Sequence, residues 1–139
     1  MYKHILLAAD GSDHSIRAAR HAAEIARHIP DSKVDILFVI DYNQSKSDIL
    51  HKDSIITIQK ERSLRLKPHE EILQNAGVAY TVKVKHGEPG SAVAAYANEF
   101  GVDLVVIGSR GLNKLQEFVL GGVSHKVAKR VKCPVMIVK

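Results

Sequence analysis

Five short apolar runs, each closed by turn-forming residues and separated from the next by a stretch of helical or polar character, leave few folds open to this chain. Residues 2–9 read as the first strand: Ile5-Leu6-Leu7-Ala8-Ala9 is apolar at every position, the pattern of a strand buried on both faces, and Asp10-Gly11-Ser12 closes it. Over residues 13–29, Ile16, Ala19, Ala22, Ala23, Ala26 and Ile29 recur at spacings of three and four. That spacing predicts a helix, with Ser12 or Asp13 as N-cap and Pro30 just past its end. Residues 34–40 form the second strand, and the polar stretch 41–53 reads as a loop. A second helical pattern spans 54–75, where Pro68 predicts a kink or restart because proline lacks an N–H and crowds the carbonyl four residues back; Gly77 is the expected stop.

Residues 78–85 alternate as a third strand, residues 87–91 turn into a helix over 92–100, and 102–107 is a fourth strand. Gly108-Ser109-Arg110-Gly111 breaks it, a mixed segment runs to Leu120, Gly121-Gly122 precede a helix over 123–131, and 134–138 is the fifth strand. Strands alternating with helices require right-handed crossovers, so the expected fold is a single α/β domain over 1–139, with a doubly wound parallel sheet and helices on both faces.

In such a sheet, ligands bind beyond the carboxyl ends of the strands, where the winding reverses. Flavodoxin-like winding gives the order 3-2-1-4-5 and sets the turn Asp10-Gly11-Ser12 beside Gly108-Ser109-Arg110-Gly111. Glycines admit close backbone approach, and the first N–H groups of the helix at Val123 point a positive dipole end into the same crevice, which suits phosphate. The same glycines serve equally well as turns and helix-packing positions. There is no G-x-x-x-x-G-K-[ST] loop and no G-x-G-x-x-G after a strand, so the P-loop and dinucleotide-binding readings lose their main support. The third strand ends Lys83-Val84-Lys85-His86, without the aspartate that a phosphoacceptor domain needs there.

A formal charge of +5 raises the question of nucleic acid, but its distribution argues otherwise. Residues 110–139 carry seven Lys and Arg against Glu117 alone, while the remainder is close to neutral. Those thirty residues hold one aromatic, Phe118, so they offer no stacking platform. A localised anion site is the better expectation. The composition, 45% apolar and 25% charged, excludes disordered and fibrous classes. The lone Cys133 excludes an internal disulfide, and no run reaches the ~18 apolar residues of a membrane helix. With no leader pattern at the start, a cytoplasmic protein is expected.

Three tempting features have plainer readings. His14, His21 and His28 lie on one stripe of the first helix, about 10.5 Å apart along its axis at seven-residue spacing, too far for two to share an ion, so a solvated face is expected. His69-Glu70-Glu71 begins like a zincin helix but has Leu73 where the second histidine belongs. His86 reads as a surface histidine near the crevice. Asp10 is the one carboxylate placed in the pocket, and no acid–base pair or nucleophile accompanies it.

Taken together, the opening Tyr2-Lys3-His4-Ile5-Leu6-Leu7-Ala8-Ala9-Asp10-Gly11-Ser12, the strand end Phe38-Val39-Ile40-Asp41, Gly87-Glu88-Pro89, the block from Asp103 to Gly111 and Cys133-Pro134-Val135 resemble the universal stress protein family. Its ATP-binding members carry G-x2-G-x9-G-[ST], which Gly108, Gly111 and Gly121 meet, with Gly122 at the hydroxyl position. The resemblance implies an adenine nucleotide alpha hydrolase-like fold that binds ATP with Mg²⁺ and at most hydrolyses it slowly. It implies that Asp10, with Gly11 beside it, contacts the adenosine end and the Val39 backbone the adenine edge. Gly108, Ser109, Arg110 and Gly111 would line the ribose and first phosphates; Gly121, Gly122 and Val123 would offer N–H groups to the terminal phosphates. Ser124 is the candidate to replace the hydroxyl missing at Gly122. The contrasting expectation is a protein-interaction module of the same fold without nucleotide. The resemblance also implies a homodimer through strand 134–138, an edge whose backbone invites pairing.

Overall fold

The computed structural model describes residues 1–41, 55–110 and 121–139. Along them run β1 (His4–Ala8), α1 (Asp13–Arg27), β2 (Lys33–Ile40), α2 (Ile55–Asn75), β3 (Ala79–His86), α3 (Pro89–Phe100), β4 (Leu104–Gly108), α4 (Gly122–Arg130) and β5 (Val135–Val138). The strands form one sheet of order β3-β2-β1-β4-β5, parallel throughout, which is the winding expected from the sequence. The expected loop over 42–53 and the mixed segment over 112–120 lie outside the described residues.

Successive side chains of a strand point to opposite faces, and here both faces are covered. Ile5 and Leu7 of β1 pack with Ala18, Ala19, Ala22 and Ala23 of α1 and with Leu73 of α2. Leu6 turns the other way, toward Val93, Tyr96 and Ala97 of α3 and Val127 of α4. Burying a strand on both sides explains why its sequence is a continuous apolar run rather than an alternation.

Helix ends follow local chemistry. The Ser12 hydroxyl caps α1, accepting from the Ser15 N–H at 3.2 Å. At the other end, His28 and Ile29 donate to the carbonyls three residues back, so the last turn tightens and α1 stops at Arg27, short of the expected 29. α3 starts earlier than expected, at Pro89, because the Glu88 carboxylate accepts from Gly90 N (3.1 Å) and Ser91 N (2.8 Å) and proline suits a first helical turn. Burial raises the Glu88 carboxyl, but those bonds and the Lys126 ammonium outweigh it and hold it down at about 2.

α2 contradicts the expected restart at Pro68, running unbroken from Ile55 to Asn75. Leu66, His69 and Leu73, on both sides of the proline, are all buried. Tertiary burial on both flanks outweighs the one backbone bond that proline removes.

One polar group sits inside the sheet's α3-facing layer. Asp35, 4% exposed, accepts from Tyr96 Oη at 2.7 Å and Thr81 Oγ1 at 2.8 Å and meets His4 Nε2 at 2.6 Å, so one β2 carboxylate ties β1, β3 and α3 together. Burial opposes its charge. The hydrogen bonds from His4, Tyr96 and Thr81 prevail and keep the carboxyl below its ordinary range.

Candidate functional site at the switch between β1 and β4

β1 and β4 are neighbours in register, Leu7 opposite Val106, so their carboxyl ends open side by side. Past β1, Asp10 Oδ1 accepts from Ser12 N at 2.8 Å and folds the chain into a tight turn. The second carboxylate oxygen, Oδ2, has no partner among the described residues. Gly11 at the crest has φ +86°, a conformation that disfavours other residues, and the Arg65 stem of α2 would lie 3.3 Å from a Cβ placed there. Val39, near the end of β2, packs on the layer shared with α3 and α4.

Gly108 ends β4 for a reason other than ligand approach. A Cβ on it would lie 2.7 Å from His14 Cβ and 2.9 Å from the His14 carbonyl carbon, so the glycine makes room for the first turn of α1. Of the two uses that the sequence left open for this residue, packing accounts for it.

The same contact overturns the solvated-stripe reading of His14. His14 is half-buried and its Nδ1 lies 3.2 Å from Ser109 Oγ, whereas His21 and His28 are exposed, His28 beside Glu24. Helical period put all three on one face, but of the three only His14 lies at the end of β4, against Gly108 and Ser109.

α4 enters the crevice beside Ser109, whose carbonyl accepts from Gly121 N at 2.8 Å, while Ser109 N donates to Val138 at 2.7 Å. Gly121 is buried, Gly122 exposed and Val123 half-buried. Among the described residues, a Cβ on Gly122 would meet nothing within 4 Å. Ser124 is 2% exposed, and its hydroxyl donates to the Gly108 carbonyl at 2.5 Å. The hydroxyl expected to compensate for Gly122 is therefore committed to the backbone. Arg110 is half-buried, and Gly111 lies outside the described residues.

Beneath the β1 turn lies a residue that sequence reasoning set aside. His69, fully buried on α2, approaches Ser15 Oγ with Nε2 at 2.8 Å; that hydroxyl donates to Ser12 O at 3.1 Å. Among the described residues, Nδ1 is buried with no hydrogen-bond partner. Burial pushes the imidazole's pKa down, against the pull of the Asp10 carboxylate. A polar residue flanked by Leu66 and Leu73 at helical spacing was the signal that it faces inward.

Among the described residues no group of three or more His, Cys, Asp or Glu is arranged to hold a metal ion. Nor is any helix there long and apolar enough to cross a membrane. Cys133, half-buried, is a free thiol whose pKa burial pushes up, as expected of an unreactive cysteine.

A doubly wound parallel sheet of this order, with glycines at the strand ends of its switch point, defines a flavodoxin-like α/β protein. The chain belongs to the universal stress protein family, whose model matches residues 1–139. It is 34% identical over 149 residues to the universal stress protein YxiE of Bacillus subtilis, covering both chains completely. It is 29% identical over 146 residues to universal stress protein MJ0531 of Methanocaldococcus jannaschii, covering all of this chain and 83% of that one. Among solved structures, MJ0577 superposes with a TM-score of 0.84 at 28% identity, covering 100% and 96% of the two chains. A universal stress protein in complex with cAMP matches at 0.75 and 26% (99% and 97% covered), and one from Archaeoglobus fulgidus in complex with dAMP at 0.73 and 25% (99% and 98% covered).

Proposed function

We propose that this protein is a cytoplasmic stress-response module that binds ATP in the crevice between the ends of β1 and β4 and hydrolyses it slowly at most. The observation that carries the reading is the juxtaposition of Asp10, with one carboxylate oxygen unpartnered among the described residues, and the N-terminus of α4 across two adjacent strand ends. Asp10 Oδ2 is an acceptor for a ribose hydroxyl, the Val39 backbone reaches the adenine edge, and the N–H groups of Gly122 and Val123 receive phosphate. The adenine nucleotides in the two related complexes support this assignment. Mg²⁺ would be held by the phosphates, since no carboxylate cluster is present to hold it among the described residues.

The same family membership supports a homodimer through β5. The carbonyls of Pro134 and Val138 accept from Val105 of β4 and from Ser109 just past it, so by alternation the backbone groups of Val135 and Ile137 point away from β4 along the sheet edge.

The test is a melting curve with and without Mg-ATP. At a hundred times its dissociation constant the nucleotide adds about 2.7 kcal/mol, or roughly 5–10 °C for a domain of this size. A curve indifferent to millimolar Mg-ATP favours the second reading, an interaction module without nucleotide, which the missing hydroxyl at Gly122 and the committed one at Ser124 support.

A further inference from the structure

We infer that His69 is a positioning residue for sugar recognition in the crevice: through Ser15 it holds the β1 turn where Asp10 Oδ2 accepts from a ribose hydroxyl. The inference rests on the nucleotide reading above and adds to it the groups that make the site select for the sugar's hydroxyls.

A buried imidazole needs a reason. His69 is fully buried, with Leu66 and Leu73 buried beside it on the same helix, and its Nδ1 has no hydrogen-bond partner among the described residues. A leucine at the same helical spacing would fill that place without burying a polar nitrogen, so packing alone does not account for histidine there. The hydrogen bond the side chain makes is to Ser15, Nε2 to Oγ at 2.8 Å.

That bond reaches the turn that carries Asp10. Ser15 Oγ also donates to the Ser12 carbonyl at 3.1 Å and accepts from the Asp10 N–H at 3.4 Å, while the Ser12 hydroxyl accepts from the Ser15 N–H at 3.2 Å. Asp10, Ser12 and Ser15 belong to one short stretch of chain. His69, 54 residues from Ser15, is the partner that ties this stretch to another element. One helical turn before His69 on the same face of α2, the Arg65 stem lies 3.3 Å from where a Cβ on Gly11 would be, so α2 meets the turn at its crest as well as through Ser15. Ser12 N occupies Asp10 Oδ1 at 2.8 Å, which leaves Oδ2 for a ligand, and its direction follows from where α2 seats the turn.

Calorimetric titration of Mg-ATP and of its 2′,3′-dideoxy analogue tests this, because the analogue keeps base and phosphates and lacks the hydroxyls. The readout is the ratio of the two affinities, with ligand-free melting curves verifying that each variant folds. Asp10→Ala removes the acceptor and is expected to lower the ratio about tenfold. His69→Leu, which fills the site without the hydrogen bond, and Ser15→Ala, which removes the same link from the α1 side, are expected to lower it about fivefold. His69→Gln, which can still reach Ser15, restores it to within about twofold of wild type. Should His69→Leu fail to fold, Ser15→Ala carries the test. A merely structural role would weaken both nucleotides alike and leave the ratio unmoved. An unchanged ratio in a folded His69→Leu or in Ser15→Ala, or a loss in His69→Gln as large as in His69→Leu, overturns the inference while Asp10 keeps its role. A ratio unmoved in Asp10→Ala removes the ribose contact and the inference together, and wild-type protein that binds neither nucleotide at millimolar concentration removes the nucleotide reading itself.

Discussion

Ser124 Oγ donates to the carbonyl oxygen of Gly108 across 2.5 Å, joining the first turn of α4 to the last residue of β4 beneath the crevice. With the Gly121 N to Ser109 O bond, it fixes the helix N-terminus against the strand end, so two walls of the proposed phosphate site move as one. Its hydroxyl is structural.

Two substitutions separate that structural hydroxyl from a ligand-binding one. Ser124→Ala leaves a buried carbonyl short of its donor and is expected to cost about 1–3 kcal/mol in urea unfolding. Gly122→Ser puts a Cβ where no described residue lies within 4 Å and is expected to leave stability within about 0.5 kcal/mol. It is expected to enlarge the melting shift caused by Mg-ATP, by adding a donor at the helix end. A Gly122→Ser protein with the wild-type shift would show that position 122 is remote from the phosphates.

Asp35→Ala strips three groups of their common acceptor inside the sheet. A loss of about 3–5 kcal/mol is expected, since the buried Tyr96 hydroxyl is left unpaired. The carboxyl's pKa is lowered in the folded state, so its contribution is complete above the unfolded value near 3.8 and is lost as pH falls below that toward the folded value. Denaturation midpoints measured down through this window should fall more steeply in wild type than in Asp35→Asn.

His69 predicts a second window at higher pH. Its folded pKa lies below the ordinary 6.5, so the unfolded chain takes up a proton first and stability declines as pH drops below that value. Urea midpoints at about pH 7.5 and 5.5 should differ more in wild type than in His69→Gln, which can still hydrogen-bond Ser15 but does not titrate. Equal slopes in the two proteins would place the proton uptake elsewhere.

Dimerisation through β5 is checked by sedimentation at micromolar concentration. The Val135 N–H points to the free edge, so Val135→Pro removes a donor from the pairing edge while sparing the bonds to β4. A dimer in wild type and a monomer in the variant is the expected result. Unchanged mass in Val135→Pro would exclude this edge as the contact.

The sequence by itself determined the winding. Continuous apolar runs such as Ile5–Ala9 must be buried on both faces, which demands helices on both sides and parallel crossovers, and that order brings Asp10 next to Gly108. It also offered Ser12 as a cap for α1, because capping is decided by residues within one turn of each other. Only the tertiary structure decided what the polar residues do. The stripe of His14, His21 and His28 is uniform by helical period, yet His14 alone of the three packs against the end of β4, at Gly108 and Ser109. Pro68 breaks a helix by local rules, and α2 crosses it because Leu66, His69 and Leu73 are buried on both sides. The partners of Asp35 come from three other elements, and the acceptor of Ser124 lies sixteen residues away on β4. Periodicity and capping act over a few residues and can be read along the chain, whereas a hydrogen bond between elements exists only once packing has brought its two ends together.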